Sequence, residues 1–227
     1  MKKPVIVFDM NETLLDMSAL DSTFGRIFGD AEGAELRKKW FRQVLELFLT
    51  ATIVAEYRSF DKLTDDALRM LAAQRGTEAT AAHRAMLTEA QGQIPAHRDV
   101  RPGLQRLEAA GFTLATLTNS TKKSATKLLQ HAKLDELFHR VLSADDVRSY
   151  KPAPEPYMHA ARELNVKPGD VLLVAAHAWD IAGALAAGCR AAFVERPEKA
   201  LNPATPEPEI TARDVTDLAG QIIAKYG

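Results

Sequence analysis

Asp9 closes the apolar run Pro4–Asp9, PVIVFD, and Thr13 follows it four residues later. A carboxylate delivered to the tip of a buried strand can act as a covalent nucleophile. It attacks a carbon or phosphorus centre to form an ester, which water then cleaves at the carboxyl carbon. Three later segments also place polar side chains at or just past the ends of apolar runs: Thr118, Asn119 and Ser120 in LTNS, Lys151 and Tyr157 in YKPAPEPY, and His177 and Asp180 in AAHAWD. Taken singly, each has an ordinary explanation. An Asp at a strand end makes turns or caps, a Ser or Thr there caps the next helix, a Lys before Pro is usually solvated, and a lone His is more often a hydrogen-bonded structural residue. Their convergence on one rim favours chemistry. In that chemistry Lys151 keeps Asp9 ionised and compensates its charge, and the hydroxyls of Thr13 and Thr118 orient it. Asp180 and His177 are the candidates for activating the hydrolytic water.

The elements that must deliver these groups follow from the pattern. PVIVFD shows no alternation, as expected of a strand buried on both faces of a parallel sheet. Similar runs recur at residues 112–118, 171–175 and 191–194, with a weaker one at Val141 and Leu142, and helical periodicity fills the gaps between them. Alternating strands and helices predict a doubly wound, Rossmann-like α/β core with a parallel sheet. Residues 18–92 break the rhythm: they hold no convincing strand and carry an amphipathic stripe of Leu36, Trp40, Val44, Leu47, Phe48 and Ala51. A further helix is expected over Thr64–Arg75, with Thr64 as its N-cap. This segment is expected to be a helical cap inserted after the first strand, over a core made of residues 1–17 and 93–227. Its edge should lie over the carboxyl ends of the strands, where open α/β sheets bind ligands. The Pro-rich stretch from Pro197 to Pro208 predicts a surface loop before a last helix near Asp214–Lys225.

Composition excludes several classes. With 46% apolar and 26% charged residues the chain suits neither disorder nor collagen, and 29 basic against 30 acidic side chains leave no broad basic field for nucleic acid or an anionic membrane. The single cysteine, Cys189, cannot form an intrachain disulfide, and the N-terminus turns charged too early for a secretion signal, so a cytoplasmic location is expected. Apolar runs break too soon for a membrane span.

The stretch FDMNETLLD at Phe8–Asp16, followed in order by LTNS, YKP and AAHAWD, resembles the motifs of the haloacid dehalogenase superfamily, and within it the (S)-2-haloacid dehalogenase branch. The resemblance covers nearly the whole core. Superfamily phosphatases carry a second Asp two residues after the nucleophile; here it is Asn11, which cannot protonate a departing alkoxide. A halide leaves without a proton. The resemblance therefore implies hydrolysis of small 2-haloalkanoic acids, the (S) enantiomers, to 2-hydroxy acids through an ester on Asp9, with no cofactor or metal and as a homodimer. It assigns Arg42, in WFRQ, to hold the leaving halide, with Phe60 and Asn119 lining the halide pocket, and Asn11, Thr118, Ser120 and Tyr157 on the substrate side. The chain departs from the branch pattern at Asn11, where an aromatic residue is usual, at Glu12, where glycine is usual, and at Ala175 and His177 in a motif commonly written Ser-x-Asn-x-x-Asp. Two other readings remain open at this point: a magnesium-dependent phosphatase on a small phosphomonoester, and a noncatalytic anion-binding protein on the same fold.

Overall fold

A computed structural model describes residues 2–29 and 31–227. Six parallel strands form one sheet in the order β3-β2-β1-β4-β5-β6. They are β1 (Val5–Phe8), β2 (Leu114–Thr118), β3 (Arg140–Ser143), β4 (Val171–Ala175), β5 (Arg190–Val194) and β6 (Ile210–Ala212). β1 is central, pairing Phe8 with Thr116 of β2 on one side and with Val174 of β4 on the other. Its alternating side chains serve two cores. Ile6 and Phe8 join one apolar cluster with Leu172 and Val174, while Val7 joins another with Leu117, Leu173 and Phe193. A strand covered on both faces must be apolar throughout, which is why β1 shows no period-two pattern.

Helices α5 (Val100–Ala109), α6 (Lys122–His131), α7 (Pro154–Glu163), α8 (Ala178–Ala186) and α9 (Val215–Tyr226) join and flank the strands. Between β1 and α5 the chain forms α1 (Asp21–Phe28), α2 (Gly33–Ile53), α3 (Phe60–Gln74) and α4 (Ala81–Gln91), with no strand among its described residues. Trp40 is 1% exposed and donates its indole N–H to the Thr64 carbonyl at 3.0 Å, tying α2 to α3. Gly33 lets α2 meet α1, since a Cβ there would sit 2.1 Å from the Asp21 carbonyl oxygen. This helical segment touches the strand ends through Tyr57 with Asp145, Tyr150 with the Arg58 carbonyl, and Asp61 with Ser124.

One local expectation changes. The helix expected to start at Thr64 starts at Phe60, because Ser59 caps it by accepting from the Lys62 N–H, and Thr64 is a buried interior residue whose hydroxyl donates to the Asp61 carbonyl. Between the Pro-rich loop and the last helix lies β6, a three-residue edge strand too short to announce itself in the sequence. Asp214 does cap the last helix, accepting from the Asp217 N–H at 2.7 Å. Among the described residues no helix is long and apolar enough to cross a membrane.

Candidate active site

Asp9 follows the last residue of β1, and its backbone N–H is fixed by the Val174 carbonyl at 2.9 Å. Its side chain is nearly buried, at 4% exposure, so each oxygen needs a partner. Oδ1 receives the Lys151 ammonium at 3.0 Å; Oδ2 accepts from the Thr13 hydroxyl at 2.7 Å and faces His177 Nδ1 at 3.2 Å. Thr13 accepts in turn from the Ala176 N–H at 3.0 Å, so the loops after β1 and β4 hold the carboxylate together. Arg196 pins the first loop by donating to the Thr13 carbonyl while its guanidinium also grips Asp99.

Lys151 is fully buried between two carboxylates, Asp9 at 3.0 Å and Asp180 at 2.5 Å. Asn119 fixes the lysine backbone from both sides: its amide oxygen accepts from the Lys151 N–H at 2.9 Å and its amide nitrogen donates to the Lys151 carbonyl at 3.2 Å. Both Asp180 oxygens are engaged, one by Lys151 and the other by the Tyr157 hydroxyl at 2.6 Å. Burial pushes Asp9 up, but Lys151 and His177 outweigh it and hold its carboxyl well below the usual carboxylate range. Asp180 moves the other way, raised by burial and by the neighbouring Asp9 charge against the pull of Lys151. Burial alone would strip the proton from Lys151; Asp180 and Asp9 reverse that and raise it. Asp9 is thus kept anionic, the state a nucleophile requires.

The structure adds a residue to which the sequence assigned no role. Glu12 carries a left-handed backbone, φ 58°, a conformation suited to the glycine usual in the family, and here its carboxylate is held from several sides. His177 Nε2 lies 2.9 Å from Glu12 Oε2, Lys199 contacts the same oxygen, and Arg37 Nη1 sits 3.7 Å from Oε1. Burial raises Glu12, yet His177 and Lys199 bring its pKa down to about 2. His177 therefore bridges two carboxylates, and although burial disfavours its cation, its bonds to Asp9 and Glu12 raise its pKa. Its ring lies between Trp179, centroids 5.0 Å apart, and Phe41, 6.2 Å. A non-glycine residue in a glycine slot was the one sequence signal for Glu12; Lys199, in the Pro-rich loop, gave none.

A cavity of about 230 Å³ lies between the helical segment and the strand ends, lined by Asn11 and Ser120 and by Trp40, Phe41, Phe60 and Leu128 among others. Asn11, Ser120 and Phe60 thus line one cavity. Four expectations need correction. Arg42 is exposed and borders a different, outer cleft, because α2 turns about 100° per residue and directs Trp40, Phe41 and Val44 inward instead. The arginine that is buried is Arg37, and it is occupied by Asp21 at 2.6 Å. Thr118 does not reach Asp9; its hydroxyl accepts from the Ser120 N–H at 3.1 Å. Tyr157 donates its hydroxyl to Asp180 and is not among the residues lining the cavity. The Asn119 amide is committed to the Lys151 backbone and is likewise not among the residues lining the cavity.

Known proteins resemble this chain in sequence and in fold. The haloacid dehalogenase-like hydrolase family matches residues 3–188. (S)-2-haloacid dehalogenase 4A of Burkholderia cepacia is 34% identical over 179 residues, 78% of this chain and 77% of that protein. (S)-2-haloacid dehalogenase 1 of Pseudomonas sp. (strain CBS-3) is 34% identical over 194 residues, 85% of each chain. A crystal structure of a dehalogenase with an intermediate complex superposes with a TM-score of 0.89 at 28% identity, over 97% of both chains.

Proposed function

Because the chain belongs to the haloacid dehalogenase-like hydrolase family, we propose that it hydrolyses the carbon–halogen bond of small 2-haloalkanoic acids, with Asp9 as nucleophile. The observation that carries this reading is an ionised, nearly buried Asp9 carboxylate two residues before Asn11, which lines the cavity and offers an amide where a proton-donating acid would otherwise stand. An Asp9 oxygen displaces halide from C2 with inversion, and the halide departs as a stable anion needing no proton. Lys151, held by Asp9, Asp180 and the Asn119 clamp, balances the charge before and after attack.

Water must then attack the carboxyl carbon of the ester. Asp180 is poorly placed for this, since Lys151 and Tyr157 take both of its oxygens. His177 is the base. Once Asp9 is esterified, His177 has lost one of its two anionic partners and releases its proton to solvent, the single proton the net reaction produces. The neutral ring keeps its Nε2–H on Glu12 and turns the Nδ1 lone pair toward the ester. It accepts a proton from the attacking water, passes it to the departing hydroxy acid oxygen, and takes up the remaining carboxyl proton as Asp9 is regenerated. Configuration at C2 inverts once, because the second step breaks the bond between the carboxyl carbon and oxygen.

In this reading residues 18–92 act as a cap over the reacting groups, and the enzyme is a cytoplasmic homodimer, with Ile53 (82% exposed) and Val54 (55%) offering apolar surface at the end of α2. Light scattering reports the assembly. The reaction is tested by halide release from (S)-2-chloropropionate with and without EDTA, and by a single turnover in oxygen-labelled water. The expected product of that turnover carries its new oxygen from Asp9. Solvent oxygen in the first-turnover product, or activity abolished by EDTA and restored by magnesium, overturns the reading.

A further inference from the structure

An anion entering the cavity beneath the helical segment finds most nearby cations already engaged. Lys151 is shared by Asp9 and Asp180, His177 by Asp9 and Glu12, and Arg37 by Asp21 and Glu12, while Arg42 borders the outer cleft. One cationic side chain among the described residues lines the cavity itself: Lys127 of α6. It has no hydrogen-bonded or ion-paired partner among the described residues, and α6, with the sequence KKSATKLLQH, contains no acidic residue. The three- and four-residue spacings of a helix put Lys127 on the same face as Ser124 and beside Leu128, and both of these share the cavity wall. The lining holds one carboxylate, Asp61 of α3, whose oxygens accept from Ser124 at 3.1 Å and Thr121 at 3.4 Å and which makes no ion pair with Lys127 among the described residues.

We propose that Lys127 is the cation that recognises the carboxylate of the incoming substrate, fixing its anionic end at the cavity wall while C2 is presented to Asp9. This rests on the reading that the substrate is a small 2-halo acid. Lys127 then discriminates charge and not size, and acts in binding and not in bond breaking. Its effect belongs in KM and leaves kcat alone.

The test is a titration that needs no turnover. The full chain is titrated with propionate and with propionamide, a neutral molecule of nearly the same shape, following the fluorescence of Trp40 in the cavity wall. Lys127→Met is expected to weaken propionate binding about five- to tenfold, the range of one charge-assisted hydrogen bond at a partly solvated site, and to leave propionamide unchanged. Lys127→Arg should restore propionate binding, and Asp61→Asn, which removes the one anion in the wall, should tighten it. Equal losses for acid and amide, propionate binding by Lys127→Met at wild-type strength, or no propionate binding by wild type each overturn the proposal. Halide release by wild type, measured alongside, judges the substrate reading separately: charge-selective binding without halide release sinks the dehalogenase reading and leaves Lys127 assigned, whereas halide release with an indifferent Lys127→Met sinks Lys127 alone.

Discussion

Replacing Glu12 by Gln removes one negative charge from His177 while keeping an acceptor for its Nε2–H. Bringing the Glu12 carboxyl from its ordinary 4.5 to about 2 corresponds to roughly 3 kcal/mol of preference for the charged form, at about 1.4 kcal/mol per pH unit. His177 is the largest partner lowering Glu12, ahead of Lys199, so about half of that, near 1.5 kcal/mol, belongs to the pair. Coupling is reciprocal: what His177 does for the carboxylate, the carboxylate does for the imidazolium. Glu12→Gln should therefore lower the His177 pKa by about one unit. Ester hydrolysis needs the neutral ring, so the acid limb of kcat should move toward lower pH by about one unit wherever that step limits turnover. The plateau should fall by less than about threefold because Gln still orients the ring, whereas Glu12→Gly, with no side chain to orient it, should lower the plateau about a hundredfold, the low end for a displaced general base. The assay is kcat against pH from halide release, with mass spectrometry reporting the esterified fraction, and His177→Asn as the control that accumulates ester. An acid limb unmoved in Glu12→Gln, or moved upward, refutes the pairing of these two residues in the water step. Stability supplies a second check. A carboxyl lowered on folding contributes stability above its unfolded value and loses it as pH falls through the folded one, so Glu12→Gln should flatten the acid loss of stability between pH 4.5 and about 2.

Arg42→Ala should leave kcat/KM within about twofold of wild type, as for a side chain on an exposed helix face; a hundredfold loss would return that arginine to the site. Lys151→Met strands two buried carboxylates and should cost about 3–5 kcal/mol by urea unfolding, along with all halide release; a loss under about 1 kcal/mol would mean that the ammonium is not their shared counterion. Gly183→Ala places a Cβ 2.5 Å from the Tyr157 hydroxyl and 2.7 Å from the Pro152 carbonyl oxygen, and should destabilise by about 1–3 kcal/mol while displacing the group that holds Asp180. Thermal melting and halide release read both effects, and an unperturbed variant would mean the α7–α8 contact yields freely.

Much of this protein was legible in one dimension because it depends on local rules. A strand covered on both faces is almost wholly apolar, so the polar residues Asp9, Asn119 and His177 fall one or two positions past the ends of β1, β2 and β4. Parallel connection then brings those ends to one rim whatever the details of packing. Lys151 and Asp180 lie further along the segments that leave β3 and β4, and the Lys151 ammonium joins both carboxylates. Periodicity also showed that α2 has an apolar face. It could not show how far that face is rotated relative to the sheet, which is set by Trp40 packing on α3 and Gly33 closing on α1, contacts made across the helical segment. One residue of rotation, about 100°, is the difference between an arginine in the cavity and Phe41 there, with Arg42 outside. The same limit applies to charge. That Glu12 occupies a left-handed turn and meets His177, Lys199 and Arg37 depends on three segments far apart in the chain arriving within about 4 Å, the range over which a buried charge is compensated, and only the folded packing brings them there.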